Sequence, residues 1–428
     1  MSGRMSGRMS GRMNGWTSGR TSRRLLAVLV AAVLAVVGTV AVALLQTGED
    51  RRTGEAADVL EPPAPPEVAA QQLSSVEPGK QVALRRGEQR MTLEMDTDYT
   101  PSAPSGVGTD DYRCFLLDPE LEEDVWLTGS QVLPGNPDVV HHVILFKVDA
   151  DQVAAAEELD AKTVDPGWTC FGGSGLEGDF SRLTDANWLA AWAPGGDERA
   201  TRDGYGTRLE AGSRVVMQVH YNLLKGATPD RSATQLRWMP GDTDLQSLHT
   251  YLMPAPVELP CREARSEGPL CDREAAMVDL RQRFGGAALT ADALHLLCGE
   301  LEEPSETTTC TRRVGQEMTV LGVAGHMHLL GREISVVANQ GTPRERTLLD
   351  VDLWDFDDQG SQPVEPLTLE PGDTLTVTCR HEQWLRDKLP AFEGQQEKYV
   401  LWGEGSTDEM CLGTLSVAYA AGAPTSRF

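Results

Sequence analysis

The stretch Val139-Val140-His141-His142-Val143-Ile144-Leu145-Phe146-Lys147-Val148 is dense in β-branched and aromatic residues, which pack well on a pleated surface. It reads as a largely buried strand. Runs of the same kind recur between turn signals at Arg214–Tyr221, Met318–Val323, Glu333–Ala338, Thr374–Thr378 and Leu412–Tyr419. With 25 Pro and 42 Gly to punctuate the chain, the pattern predicts an all-β body of β-sandwich, jelly-roll type. One stretch departs from it. Asp272–Leu297 is rich in Ala, Leu and Arg with helical periodicity, and lies between the Cys261/Cys271 and Cys298/Cys310 pairs. A small helical insertion at about residues 261–310, stapled by disulfides, is expected there.

At 428 residues the chain exceeds what one core usually serves, so two domains are expected. Ahead of them the composition changes twice. Residues 1–24 carry six Arg and no acid, leaving 32 basic against 64 acidic residues in the remainder of a chain of net charge −26. Leu25–Leu45 has no charge over 21 residues, long enough to span a hydrocarbon core of about 30 Å. Arg on one flank and Glu49-Asp50 on the other predict an uncleaved signal-anchor, with a cytosolic basic tail and an extracytoplasmic body at the cell membrane. Residues 46–90 are polar and Pro-rich, a linker that builds no core. Nucleic acid is excluded as a main partner, because phosphate binding needs clustered Lys and Arg.

An even count of eight Cys in an exported body, with no CxxC pair, reads as a framework of four disulfides. Five of the eight His fall inside or at the end of apolar strand-like runs: His141-His142, His220 in Val215–Tyr221, and His326 and His328 in Val323–Leu329. Neutral imidazole is the commonest metal ligand, and a His-X-His spacing sets two rings on one strand face. Adjacent His141 and His142 point to opposite faces, so they share a metal only where the strand twists or bulges. The spacing supports zinc or copper equally. His249, His295 and His381 lie outside these constellations and read as structural.

His141-His142 with Val143–Phe146, Met217–Tyr221, His326–Gly331 and Ser406–Cys411, in this order, resemble the copper type II ascorbate-dependent monooxygenase family, which includes peptidylglycine α-hydroxylating monooxygenase and dopamine β-monooxygenase. The resemblance spans roughly residues 110–420 and implies two β-sandwich domains, 91–240 and 241–428, with one copper each, facing one another across a solvent-filled cleft. It implies His141, His142 and His220 on an electron-relaying copper. His326, His328 and Met410 would hold the copper at which dioxygen and a substrate C–H bond react. A thioether is a soft ligand suited to Cu(I) and of little use to zinc. Cys114–Cys170 and Cys379–Cys411 are the implied bridges, the second bracing the strand next to Met410; the pairing of Cys261, Cys271, Cys298 and Cys310 stays open. Gln218 keeps the family residue beside His220, where it either orients the first copper's surroundings or serves as a strand hydrogen-bonder.

Ala324, Leu412 and Thr414 stand where peptide-amidating members carry the Arg, Asn and Tyr that anchor a carboxylate. A desolvated carboxylate without such partners is costly, so peptidylglycine is disfavoured and a neutral or cationic small molecule is expected, with dioxygen and ascorbate or another one-electron donor. No Rossmann, haem or flavin motif accompanies the copper ligands. Two rival readings use the same histidines. An exported copper-handling protein would bind metal without turnover. A zinc hydrolase would need a carboxylate base, for which Glu382 and Asp408 are the candidates, and would not need Met410.

Overall fold

The structure, a computed structural model, describes residues 80–103, 109–176, 185–194, 196–299 and 303–420. All belong to one compact unit, Gln71–Phe428. The basic tail, the apolar segment 25–45 and most of the linker lie outside the described residues. Among the described residues no helix is long and apolar enough to cross a membrane.

The body is mostly β-sheet. Val140–Val148 sits inside a five-stranded sheet between Trp188–Trp192 and Arg214–Asn222, with Asp110–Leu117 and Trp168–Thr169 beyond. Its alternate residues Val143 and Leu145 are fully buried. They face Leu127, Leu209 and Leu236 of a second sheet, and together these residues form one core. A second core, from Met253 to Tyr419, fills the space between Met318–His326 with Cys411–Tyr419 on one side and Gly331–Ala338 with Thr374–His381 on the other. Two packed-sheet layers therefore follow one another along the chain, as expected where alternating apolar residues need a facing apolar sheet.

The layers are not separate sheets throughout. Gln246–Ala255 pairs in parallel with Tyr205–Leu209, Gln246 opposite Tyr205 and Ser247 opposite Gly206, and antiparallel with Cys411–Tyr419. One ten-stranded sheet thus runs through both halves. The insertion is helical where the sequence places it, at Arg273–Phe284 and Leu289–Cys298. Asp272 caps the first helix by accepting from Ala275 N at 2.9 Å, satisfying one of the amides that a helix start leaves unpaired. Two local bridges hold it, Cys261–Cys271 and Cys298–Cys310. Cys114 bonds Cys170 and Cys379 bonds Cys411.

Candidate metal centre

His220 lies on Arg214–Asn222 directly opposite His142, and the next pair is Tyr221 with Val140, so the ladder skips His141. That bulge is what two adjacent histidines need in order to face one point. Potential ligand atoms of His141, His142 and His220 all lie within 4.8 Å of one another. Their rings are 4.5 to 5.4 Å apart, centre to centre. Asp110 Oδ1 accepts from His220 Nε2 at 2.8 Å and from Ser406 Oγ at 2.5 Å. His220 Nδ1 is then the free atom, buried and without a hydrogen-bond partner. Tyr112 lies flat on the same ring at 4.1 Å.

The second set is built differently from the expected strand pair. Met318–His326 ends at His326, and His328 follows in the turn. The rings still meet at 5.1 Å. Gln359 Oε1 bonds His326 Nδ1 at 2.6 Å, and the Asp408 carbonyl lies 3.4 Å from His328 Nδ1, leaving the Nε2 atoms of both rings for a ligand. Glu409 accepts from His328 N at 3.0 Å and Leu330 N at 2.5 Å, tying the turn to the residue before Met410. Met410 is buried and lines a cavity of about 710 Å³ together with His142, His326, Trp188, Trp402 and Glu404.

The two sets are in contact. His142 and His326 are 5.6 Å apart ring to ring. Phe356 stacks on His141 at 4.1 Å and reaches His328 at 6.3 Å. His142 and His326 also line the same cavity. Gln218 donates to Gly173 O at 2.8 Å, the hydrogen-bonding role, and sits on the cavity wall. Ala324, Leu412 and Thr414 line the same cavity. His295 bonds Glu258 at 2.9 Å, His381 lies 3.3 Å from Glu409, and His249 packs on Tyr419.

Burial, with the neighbouring rings, holds His326 down to about 3 and His328 to about 4. Burial also lowers His142 strongly, and lowers His220 against the pull of Asp110. All are therefore neutral at pH 7, the form that ligates. Orphaned nitrogens on His141, His142, His220 and His328 are polar atoms whose burial is costly unless something binds them. The donor set fits a first-row metal such as copper. The pH dependence has a definite sign. Unfolded histidines protonate below about 6.5 while these folded ones do not, so the metal-free protein loses up to about 1.4 kcal/mol per pH unit for each as pH falls below that value. Calorimetric melting of the metal-free body is expected to show a steep fall between pH 7 and 5; a flat profile contradicts neutral burial.

Sequence reasoning passed over Asp110, Phe356, Gln359 and Glu404. Asp110, Phe356 and Gln359 are remote in sequence from the histidines they touch, Glu404 gains its place only from the cavity, and the one local hint is a lone Phe amid the acids of Asp355–Asp358.

No curated protein matches the chain. Solved structures align only loosely. Infectious bursal disease virus Gx strain is 8% identical over 79% of this chain and 74% of its own, with a TM-score of 0.18. Paenibacillus xanthan lyase is 10% identical over 76% and 25%, TM-score 0.18. The coconut allergen cocosin is 10% identical over 77% and 86%, TM-score 0.15. At such scores none of them bears on fold or function. Residues 293–420, which contain His326, His328 and Met410, match the family model described as copper type II ascorbate-dependent monooxygenase, C-terminal domain.

Proposed function

We propose that the protein is a copper-dependent monooxygenase that hydroxylates a C–H bond of a small organic substrate with dioxygen and a one-electron donor such as ascorbate. The observation that carries this reading is the cluster of five histidines, four of them with orphaned nitrogens, beside an apolar cavity lined by His142, His326 and Met410. His141, His142 and His220 would hold one copper, and His326, His328 and Met410 the other. Bound there, copper supplies one-electron redox chemistry and a place for dioxygen. The chain's own residues do the rest. Asp110 and Gln359 fix which ring nitrogens face inward, Phe356 keeps water from the histidines, and Trp188 and Trp402 give the substrate an apolar wall.

The hydrolase reading loses the two bases that the sequence offered. Asp408 is clamped by Arg283 at 2.5 and 2.8 Å and by Lys398, and Glu382 is held by Arg380. The segment 25–45 is proposed as a membrane anchor, with the copper body on the extracytoplasmic side.

Glu404 bears on the substrate. The residue is 7% exposed and lines the cavity; its carboxyl forms no ion pair with any described residue, and burial pushes it up to about 7. Gly172, at φ +69, brings its backbone so close that an added Cβ would stand 3.2 Å from Oε1. A cationic nitrogen in the cavity would complete this carboxylate. Hydrogen bonds to charged groups are worth about 1.5–3 kcal/mol, or roughly ten- to a hundredfold.

Metal analysis with oxygen uptake on amines, phenols and peptides tests both points. Expected are two coppers per chain, uptake that needs reductant and substrate, and a preference for amines over carboxylates of equal size that Glu404→Gln erases. Zinc without oxygen uptake overturns the reading.

A further inference from the structure

Resting on the reading of the cavity as the substrate chamber and of Glu404 as the partner of a cationic nitrogen, we propose that the helical insertion is the wall that limits how bulky that nitrogen can be, with Thr290 as a specificity-determining residue. Most of the insertion, residues 261–292, lies ahead of the segment that matches the family model. It nonetheless reaches the cavity. Thr290, in the first turn of Leu289–Cys298, is one of the lining residues. Ala287 comes close to Glu404 with Gly172 between them, since a Cβ added at Gly172 would stand 3.2 Å from Glu404 Oε1 and 3.7 Å from Ala287 Cβ. The insertion thus stands at the Glu404 end of the cavity, and a substituent on a nitrogen held there competes with it for room.

The wall is fixed in place from several sides. Ala276, Met277, Leu280 and Phe284 are the buried residues of Arg273–Phe284, spaced as the apolar stripe of a helix that faces a core. They pack in one cluster with Trp402, Met410 and Leu412, all three of which line the cavity. Phe284 also meets Phe171 edge-on at 5.0 Å. Glu258 is 1% exposed and ties both helices through one carboxylate, accepting from Arg273 Nη2 at 2.7 Å and bonding His295 Nε2 at 2.9 Å. Cys261–Cys271 and Cys298–Cys310 close the two ends. A wall held in this way cannot swing aside to admit a larger group without losing these contacts, so its side chains set the limit. Thr290 itself is half-buried. A larger side chain there has the cavity to grow into and does not overpack the core.

The test compares oxygen uptake by the full-length, copper-loaded protein on a primary alkylamine and on its N-methyl and N,N-dimethyl derivatives. The quantity read is the ratio of kcat/KM for the primary to the N-methylated amine, which cancels any loss shared by both. One methylene-sized change in a pocket is worth roughly ten- to two-hundredfold. The ratio is expected to favour the primary amine at least about tenfold in the wild type, to fall toward unity in Thr290→Ala and to rise in Thr290→Phe. Leu296→Gln alters a residue of the same helix that is 88% exposed and should keep the wild-type ratio. If Thr290→Phe does not fold, Thr290→Ala decides. An equal ratio in the wild type and the Thr290 variants overturns the inference, and so does the same shift in Leu296→Gln. Should no amine drive uptake, the monooxygenase reading falls by itself. The ratio is then taken from dissociation constants read by tryptophan fluorescence; narrowing in Thr290→Ala keeps the wall, whereas an unchanged ratio, or no binding of either amine, removes it.

Discussion

Replacing Met410 by Ala is expected to lower substrate-dependent kcat/KM for oxygen uptake at least about a hundredfold, since even groups that only support a ligand are worth ten- to a hundredfold. Copper in the His141, His142 and His220 set should remain. Because Met410 is a buried core residue, packed with Leu280, Phe284 and Leu401, truncation to Ala also opens a cavity worth about 2–5 kcal/mol. Met410→Leu separates the two effects. It keeps the volume at a cost under about 1.5 kcal/mol but has no sulfur to offer. If uptake collapses in both variants while the Leu form melts near wild type, the thioether is the cause. Full activity of Met410→Leu would remove Met410 from the ligand set and with it the main distinction from a zinc site.

The second large effect lies beneath that loop. Asp408 is 1% exposed and accepts from Arg283, Lys398 and Gly405 N. Burial pushes its carboxyl up, yet Arg283 and Lys398 hold it well below the usual range. Asp408→Ala leaves Lys398 without its carboxylate beside an Arg283 that keeps only Asp279, and is expected to cost about 3–5 kcal/mol of stability, measured by denaturant unfolding. Replacing all three by apolar residues of similar volume should recover most of that loss, because a buried pair that is removed entirely takes its desolvation cost with it. A small effect of Asp408→Ala would show that water reaches Arg283 and that the insertion helix does not brace the Met410 loop.

What could be read in the sequence had a local signature. The strands around His141, His220 and His326 announce themselves by β-branched runs, and the helices of the insertion by their period. The bulge at His141 follows from a steric condition, since two neighbouring rings reach one point only if the ladder slips. Residues whose meaning depends on a distant partner were not legible. Asp110 and Ser406 look like ordinary polar residues until the fold sets them on opposite sides of one hydrogen bond. Glu404 differs from dozens of other acids only because the cavity closes around it. The contact between His142 and His326 could not be foreseen either, because it is set by how the halves pair, and the parallel match of Tyr205 with Gln246 leaves no mark on sequence periodicity.

That parallel pairing also bears on how such a chain can change over generations. Where two modules meet only through side chains, recombination can exchange one of them and let the new surfaces adjust. Here a substitute for the second half must arrive with a strand that continues the hydrogen bonds of Tyr205–Leu209. A mismatched graft would leave that strand as a bare sheet edge, a template for aggregation. Joint inheritance of the halves is the expected outcome, with variation falling on segments outside the shared sheet, such as the disulfide-bounded helices between Cys261 and Cys310.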